Sequence, residues 1–158
     1  MLYAILKTLH LLSIIIWIGG MVFAHFFLRP AMASFEPAVR VRVMQAVLAR
    51  FFSAVLAAAT VALVTGVWMV GRMAKQAVQS GAHFTMPLEW MIMAALGLVM
   101  MVIFGYIRFA LFVRLGRASS AADWPLAAAV LAKIRLWVVV NLTLGVLIIL
   151  VTLLGFSA

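Results

Sequence analysis

Apolar residues run almost unbroken from Leu2 to Leu28, interrupted by Lys7, His10, Ser13 and His25 and by the pair Gly19-Gly20. A stretch of this length predicts a membrane-spanning helix. Three more follow: 51–71, without a charged residue; 90–113, broken by Arg108; and 136–156, with Asn141, Thr143 and Thr152 as its polar residues. The fold expected is all-α: one integral membrane domain over residues 1–158, a four-helix bundle of two helical hairpins with spans at about 2–28, 51–71, 90–113 and 136–156. Pro37 suits the first turn of a helix running through basic sequence into the second span. Asp123-Trp124-Pro125 reads as an N-cap and first-turn proline leading to the fourth. Thr85-Met86-Pro87 opens the third, with Glu89 where the helix dipole favours an acid.

Basic residues are distributed unevenly. The first connection holds Arg29, Arg40, Arg42 and Arg50 against Glu36. The third holds Arg114, Arg117, Lys133 and Arg135 against Asp123. The second holds Arg72 and Lys75 against Glu89, and the C-terminal end holds none. Loops rich in Lys and Arg stay cytoplasmic, so both termini and the second connection are expected outside a bacterial inner membrane. Trp68 and Trp90 would mark the outer interface, and Trp124 and Trp137 the inner one. Ala31-Met32-Ala33 imitates a signal-peptide cleavage site. The apolar stretch before it is longer than a signal core and Met1 to Leu6 carries no basic cluster, so the first span is expected to be retained. Gly20, Arg29 and Arg50 recur 85 residues later as Gly105, Arg114 and Arg135, which suggests two related hairpins.

The net charge of +9 flanks apolar spans rather than forming a nucleic-acid surface, so lipid is the expected contact and nucleic acid is not. The chain has no cysteine, which excludes thiolate zinc, iron–sulfur ligation and thiol catalysis. No carboxylate lies within a span to couple proton movement, and no hydrolase triad, nucleotide loop or carboxylate pair is present; no catalytic residue is assigned.

Ionisable side chains inside a span are costly and rare, which marks them as functional candidates. His10 and Trp17, seven apart, share a helix face. His25 lies about 60° round from His10 and roughly 22 Å along the axis, so the two histidines cannot ligate one ion. An outer set comprises His10, His83, Glu89 and the methionines. Met86, Met93 and Met100 recur every seven residues, and Met69 and Met73 lie four apart. Thioether and imidazole suit copper, especially Cu(I), although methionine equally fills apolar gaps. His10, His83, Met86 and Met93 are the candidate metal ligands. An inner set comprises His25 and Arg108, the latter either reaching lipid headgroups or clamping a haem propionate. With His10 and Trp17 they are the candidate cofactor-binding residues. Asn141 reads as a hydrogen-bonding tie between helices, and Gly19, Gly20, Gly97 and Gly105 as points of close helix approach.

Leu6-Lys7-x2-His10-Leu11-Leu12 followed by Trp17-x-Gly19-Gly20, then Leu28-Arg29-Pro30-Ala31, Arg50-Phe51-Phe52 and Thr65-Gly66, resembles the copper-resistance-D (CopD) membrane family. That resemblance implies an inner-membrane protein of copper uptake or tolerance. The first span is also similar to that of HemJ-type protoporphyrinogen oxidases, which implies b-type haem with His10 at the ligand position. Where that family has a histidine after Gly-Tyr in the third span, this chain reads Gly105-Tyr106-Ile107-Arg108. The cofactor is therefore copper or haem b. A homo-oligomer or a place as a subunit of a larger membrane complex fits the same sequence.

Overall fold

The computed structural model describes residues 1–81 and 83–154. It contains four long helices, each long and apolar enough to cross a membrane: α1 (Leu2–Ala31), α2 (Pro37–Gln79), α3 (Leu88–Ser120) and α4 (Trp124–Leu154). No strand occurs among the described residues. Helices are what hydrocarbon permits, because each backbone polar group is satisfied inside its own segment. The last two residues of the fourth predicted span, Gly155 and Phe156, lie outside the described residues.

The helices outrun the apolar stretches that predict them. α2 covers 43 residues, about 64 Å at the helical rise, against roughly 30 Å of hydrocarbon. Its start at Pro37 follows the ring's preference for the first helical turn. Asp123 caps α4 as its sequence suggests, its carboxylate accepting from the Leu126 N–H at 3.0 Å. At α3 Glu89 sits in the first turn, but Pro87 occupies the cap position and no side chain caps it. The connections shrink accordingly, and only three residues separate α3 from α4.

That three-residue turn is a Schellman motif. The Asp123 N–H donates to the Ala118 carbonyl at 3.0 Å and the Ala122 N–H to the Ser119 carbonyl at 3.2 Å. Ala122 therefore adopts φ 53°, where a Cβ crowds the following carbonyl.

Two segments are wound as π-helix, Phe23–Leu28 in α1 and Ile107–Leu111 in α3. The wider turn holds one residue more than an α-turn and is frequent at functional sites. No signal in the hydrophobic pattern announces it.

α1 packs chiefly on α2 and α3 on α4, so each hairpin is a pair of neighbours, and α4 also touches α1 and α2. One buried stripe runs down each helix at 3- and 4-residue steps, such as Phe52, Val55, Ala59 and Ala62 on α2. Phe52 joins the hairpins: its ring meets Phe104 at 6.0 Å and Phe112 at 5.3 Å, both edge-on, and Trp17 meets Phe104 in the same way. Large apolar side chains on the outer faces, among them Ile15, Val102 and Leu147, are exposed, as lipid-facing positions are.

The sequence repeat at 85 does not describe the packing. Buried residues recur at eighty-three instead: Trp17 with Met100, Met21 with Phe104, Val55 with Val138, Ala59 with Leu142. Two residues turn a helix by about 200°, so a repeat at 85 sets core positions against lipid-facing ones. A Cβ on Gly20 would fall inside the Phe51 ring, whereas one on Gly105 would meet nothing within 4 Å. Gly19 and Gly97 are equally open, so of the four glycines expected at close approaches Gly20 alone is one; Gly66 is another, and so is Gly145, against Ile18 and Met100.

Ala122→Gly removes the crowded Cβ at the α3–α4 turn and is expected to stabilise the protein by about 1 kcal/mol. Thermal unfolding in detergent checks this; an unchanged or lowered Tm contradicts the assigned strain.

Candidate functional site

His10 faces α2. Its Nδ1 lies 2.9 Å from the Ala62 carbonyl and 3.1 Å from the Thr65 Oγ1. A carbonyl only accepts, so Nδ1 carries the proton and donates. Thr65 Oγ1 sends its own hydrogen to the Val61 carbonyl at 2.6 Å, which leaves the oxygen's lone pairs facing the imidazole. In a neutral ring this tautomer leaves an available lone pair on Nε2. Every other side-chain hydrogen bond among the described residues joins groups within four positions on one chain segment; those at His10 alone run between helices.

Gly66 completes the seat. A Cβ there would stand 3.4 Å from the imidazole Cε1 and 3.7 Å from Nδ1, in ordinary contact, so the ring lies directly over this glycine. Ala62, Thr65, Gly66 and Met69 fall on one face of α2 at helical spacing. Thr65 and Ala62 are buried. Neither stands out as a site candidate in the sequence. The signal is the small-residue run Ala62…Thr65-Gly66 opposite a histidine, readable only once α1 and α2 are known to be paired.

Trp17 sits in the core, 5% exposed, packed edge-on against Phe104. His83 is exposed in the connection between α2 and α3, and Met86 and Met93 are partly buried on the approach to and first turns of α3. Met100 is buried against the position of Gly145, so the end of the methionine stripe serves packing. No group of three or more His, Cys, Asp or Glu able to hold a metal ion occurs among the described residues. His10 is thus a single oriented nitrogen donor.

At the opposite end, the two π-turns carry His25 and Arg108 at positions eighty-three apart, the spacing of the buried repeat. His25 Nδ1 and Arg108 Nε are both buried without a hydrogen-bond partner among the described residues. The Arg108 guanidinium lies 5.5 Å from the Phe112 ring centroid and 5.8 Å from that of Phe109, so aromatic faces stand in for a counter-ion. His25 instead lines a small cleft with Arg29 of α1 and Arg135 of α4, and Arg108 is not among its lining residues. Asn141 is 1% exposed and its Oδ1 has no partner among the described residues, so the tie between helices expected of it is not seen there.

A family model described as "Copper resistance protein D" (CopD) matches residues 45–154. Arg50-Phe51-Phe52 and Thr65-Gly66 lie inside that segment, whereas His10 and Trp17-x-Gly19-Gly20 precede it. No curated protein and no solved structure matches the chain.

Exchanging His10 for Leu should change stability by less than ~1 kcal/mol. Hydrogen bonds between membrane helices average about 0.6 kcal/mol, and Thr65 keeps its bond to Val61. Unfolding of H10L in detergent checks this; a loss of several kcal/mol would make the imidazole a structural tie.

Proposed function

Because the chain belongs to the Copper resistance protein D family, and is a multi-pass membrane protein of the copper-resistance type, we propose that it handles copper ions, with His10 as the intramembrane donor. The observation that carries this reading is the locked imidazole. Nδ1–H is committed to Ala62 and Thr65, which leaves Nε2 as a neutral donor of fixed direction. Metal-ligating histidines are oriented in this way, by a carbonyl or hydroxyl on the other ring nitrogen. An energetic argument supports it too: a contact worth under ~1 kcal/mol does not account for an imidazole placed where hydrocarbon disfavours it.

Copper is the cargo. His10 Nε2 supplies one ligand, and methionine thioethers complete a soft set suited to Cu(I). Met69, one turn beyond Thr65 on the same face of α2, joins Met86, Met93 and His83 as candidates to receive or pass the ion. The basic first and third connections support a cytoplasmic position for that end of the bundle, with His10 then toward the outside of a bacterial inner membrane.

Two experiments test this. Purified protein loaded with Cu(I) is expected to retain copper that His10→Ala abolishes and that Thr65→Val weakens about tenfold. Retention unaffected by His10→Ala overturns the site, and a Soret band that His10→Ala removes would assign the same imidazole to haem b instead. For orientation, a reporter active only in the periplasm and fused at Ala158 should be active; activity confined to a cytoplasm-only reporter inverts the topology.

A further inference from the structure

The cleft at the basic end of the bundle is lined from three helices: His25 and Arg29 of α1, Met44 and Leu48 of α2, and Ile134 and Arg135 of α4, with further apolar neighbours. Its volume is about 40 Å³, room for a small polar group and not for a porphyrin. Leu48 and Ile134 are buried while Arg29 and Arg135 are exposed. The charge therefore stands at the mouth and the inner wall is apolar. No acid lines it. His25 adds a buried Nδ1 with no partner among the described residues. It sits in a π-turn, a local widening of the helix that recurs at functional sites. The surrounding end carries four basic residues in each of two connections against one acid in each.

We propose that an anionic phospholipid binds at this cleft, with Arg29 and Arg135 on the phosphate oxygens at its mouth and an acyl chain lying across its apolar opening rather than within it. Arginine forks match phosphate geometry, and basic pockets between transmembrane helices recognise anionic headgroups. An apolar wall beside two arginines of one cleft distinguishes a lipid from a free anion, which has no use for it. The site is independent of what His10 holds.

The test is lipid retention by the purified full-length chain, read by native mass spectrometry. The probes are phosphatidylglycerol, phosphatidylcholine with the same acyl chains, and inorganic phosphate. Phosphatidylglycerol should be retained in preference to phosphatidylcholine, and inorganic phosphate should not displace it. Arg29→Gln and Arg135→Gln should each lower retention about fivefold. Arg114→Gln with Arg117→Gln, at the same end outside the cleft, should lower it by less. Leu131→Trp, which fills the cleft without changing charge, should also expel the lipid, and it keeps the test decisive where an arginine variant fails to fold. Equal retention of phosphatidylcholine, an equal loss from Arg114 and Arg117, or retention unaffected by Leu131→Trp overturns the site. Displacement by inorganic phosphate makes the ligand a free anion and overturns the lipid.

Discussion

Inside hydrocarbon a polar group that leaves its own helix must find its partner on another, and among the described residues the imidazole of His10 is where this happens. Serine and threonine hydroxyls elsewhere fold back onto carbonyls three or four positions earlier, as Ser13 does onto Leu9 at 2.8 Å. The bundle is thus assembled by shape, with one polar contact fixing one side chain. Since that contact contributes little to stability, its main effect is geometric: it sets which nitrogen is protonated and where the other points.

Shape in turn rests on a few aromatic rings. Phe52 is 1% exposed and stands between Phe104 and Phe112, while Trp17 closes on Phe104 from α1. Edge-on pairs of this kind contribute about 0.5–1.5 kcal/mol each beyond burial. They hold the two hairpins together near mid-bundle and leave the ends to diverge in chemistry. One end holds the neutral imidazole over Gly66, and the other gathers arginines around the π-turns.

The four helices, the Pro37 start and the Asp123 cap are legible in the sequence because each depends on local chemistry: a long apolar run, a fixed φ, a carboxylate three residues before an orphan N–H. His10 is legible as a candidate because an ionisable group in a span is rare. What it touches is not, since Ala62 and Thr65 are brought to it by helix pairing. Arg29 and Arg135 escape notice for the same reason: in sequence each reads as a charge ending a span, and only the meeting of α1 with α4 sets them around one cleft. The phase of the repeat is misread because Gly20 and Gly105 match as letters, although Gly20 receives the Phe51 ring and Gly105 faces open space. Packing, which repeats at eighty-three, is not a property of letters. The left-handed Ala122 is hidden because any residue but glycine argues against such a turn.

The π-turns bear on how this chain tolerates changes in its length. Each is a place where the helix has absorbed a surplus residue, at matching points of α1 and α3, while their partners α2 and α4 run without one. Deleting one residue within Phe23–Leu28 would let the turn relax to α-geometry and leave the helix on either side in its present rotation. The same deletion at Ile14 or Val99 would swing everything beyond it by about 100°, carrying buried side chains into lipid. Single-residue deletions in this bundle are therefore expected to survive at two short windows, beside His25 and Arg108, and to be lost along the rest of the spans.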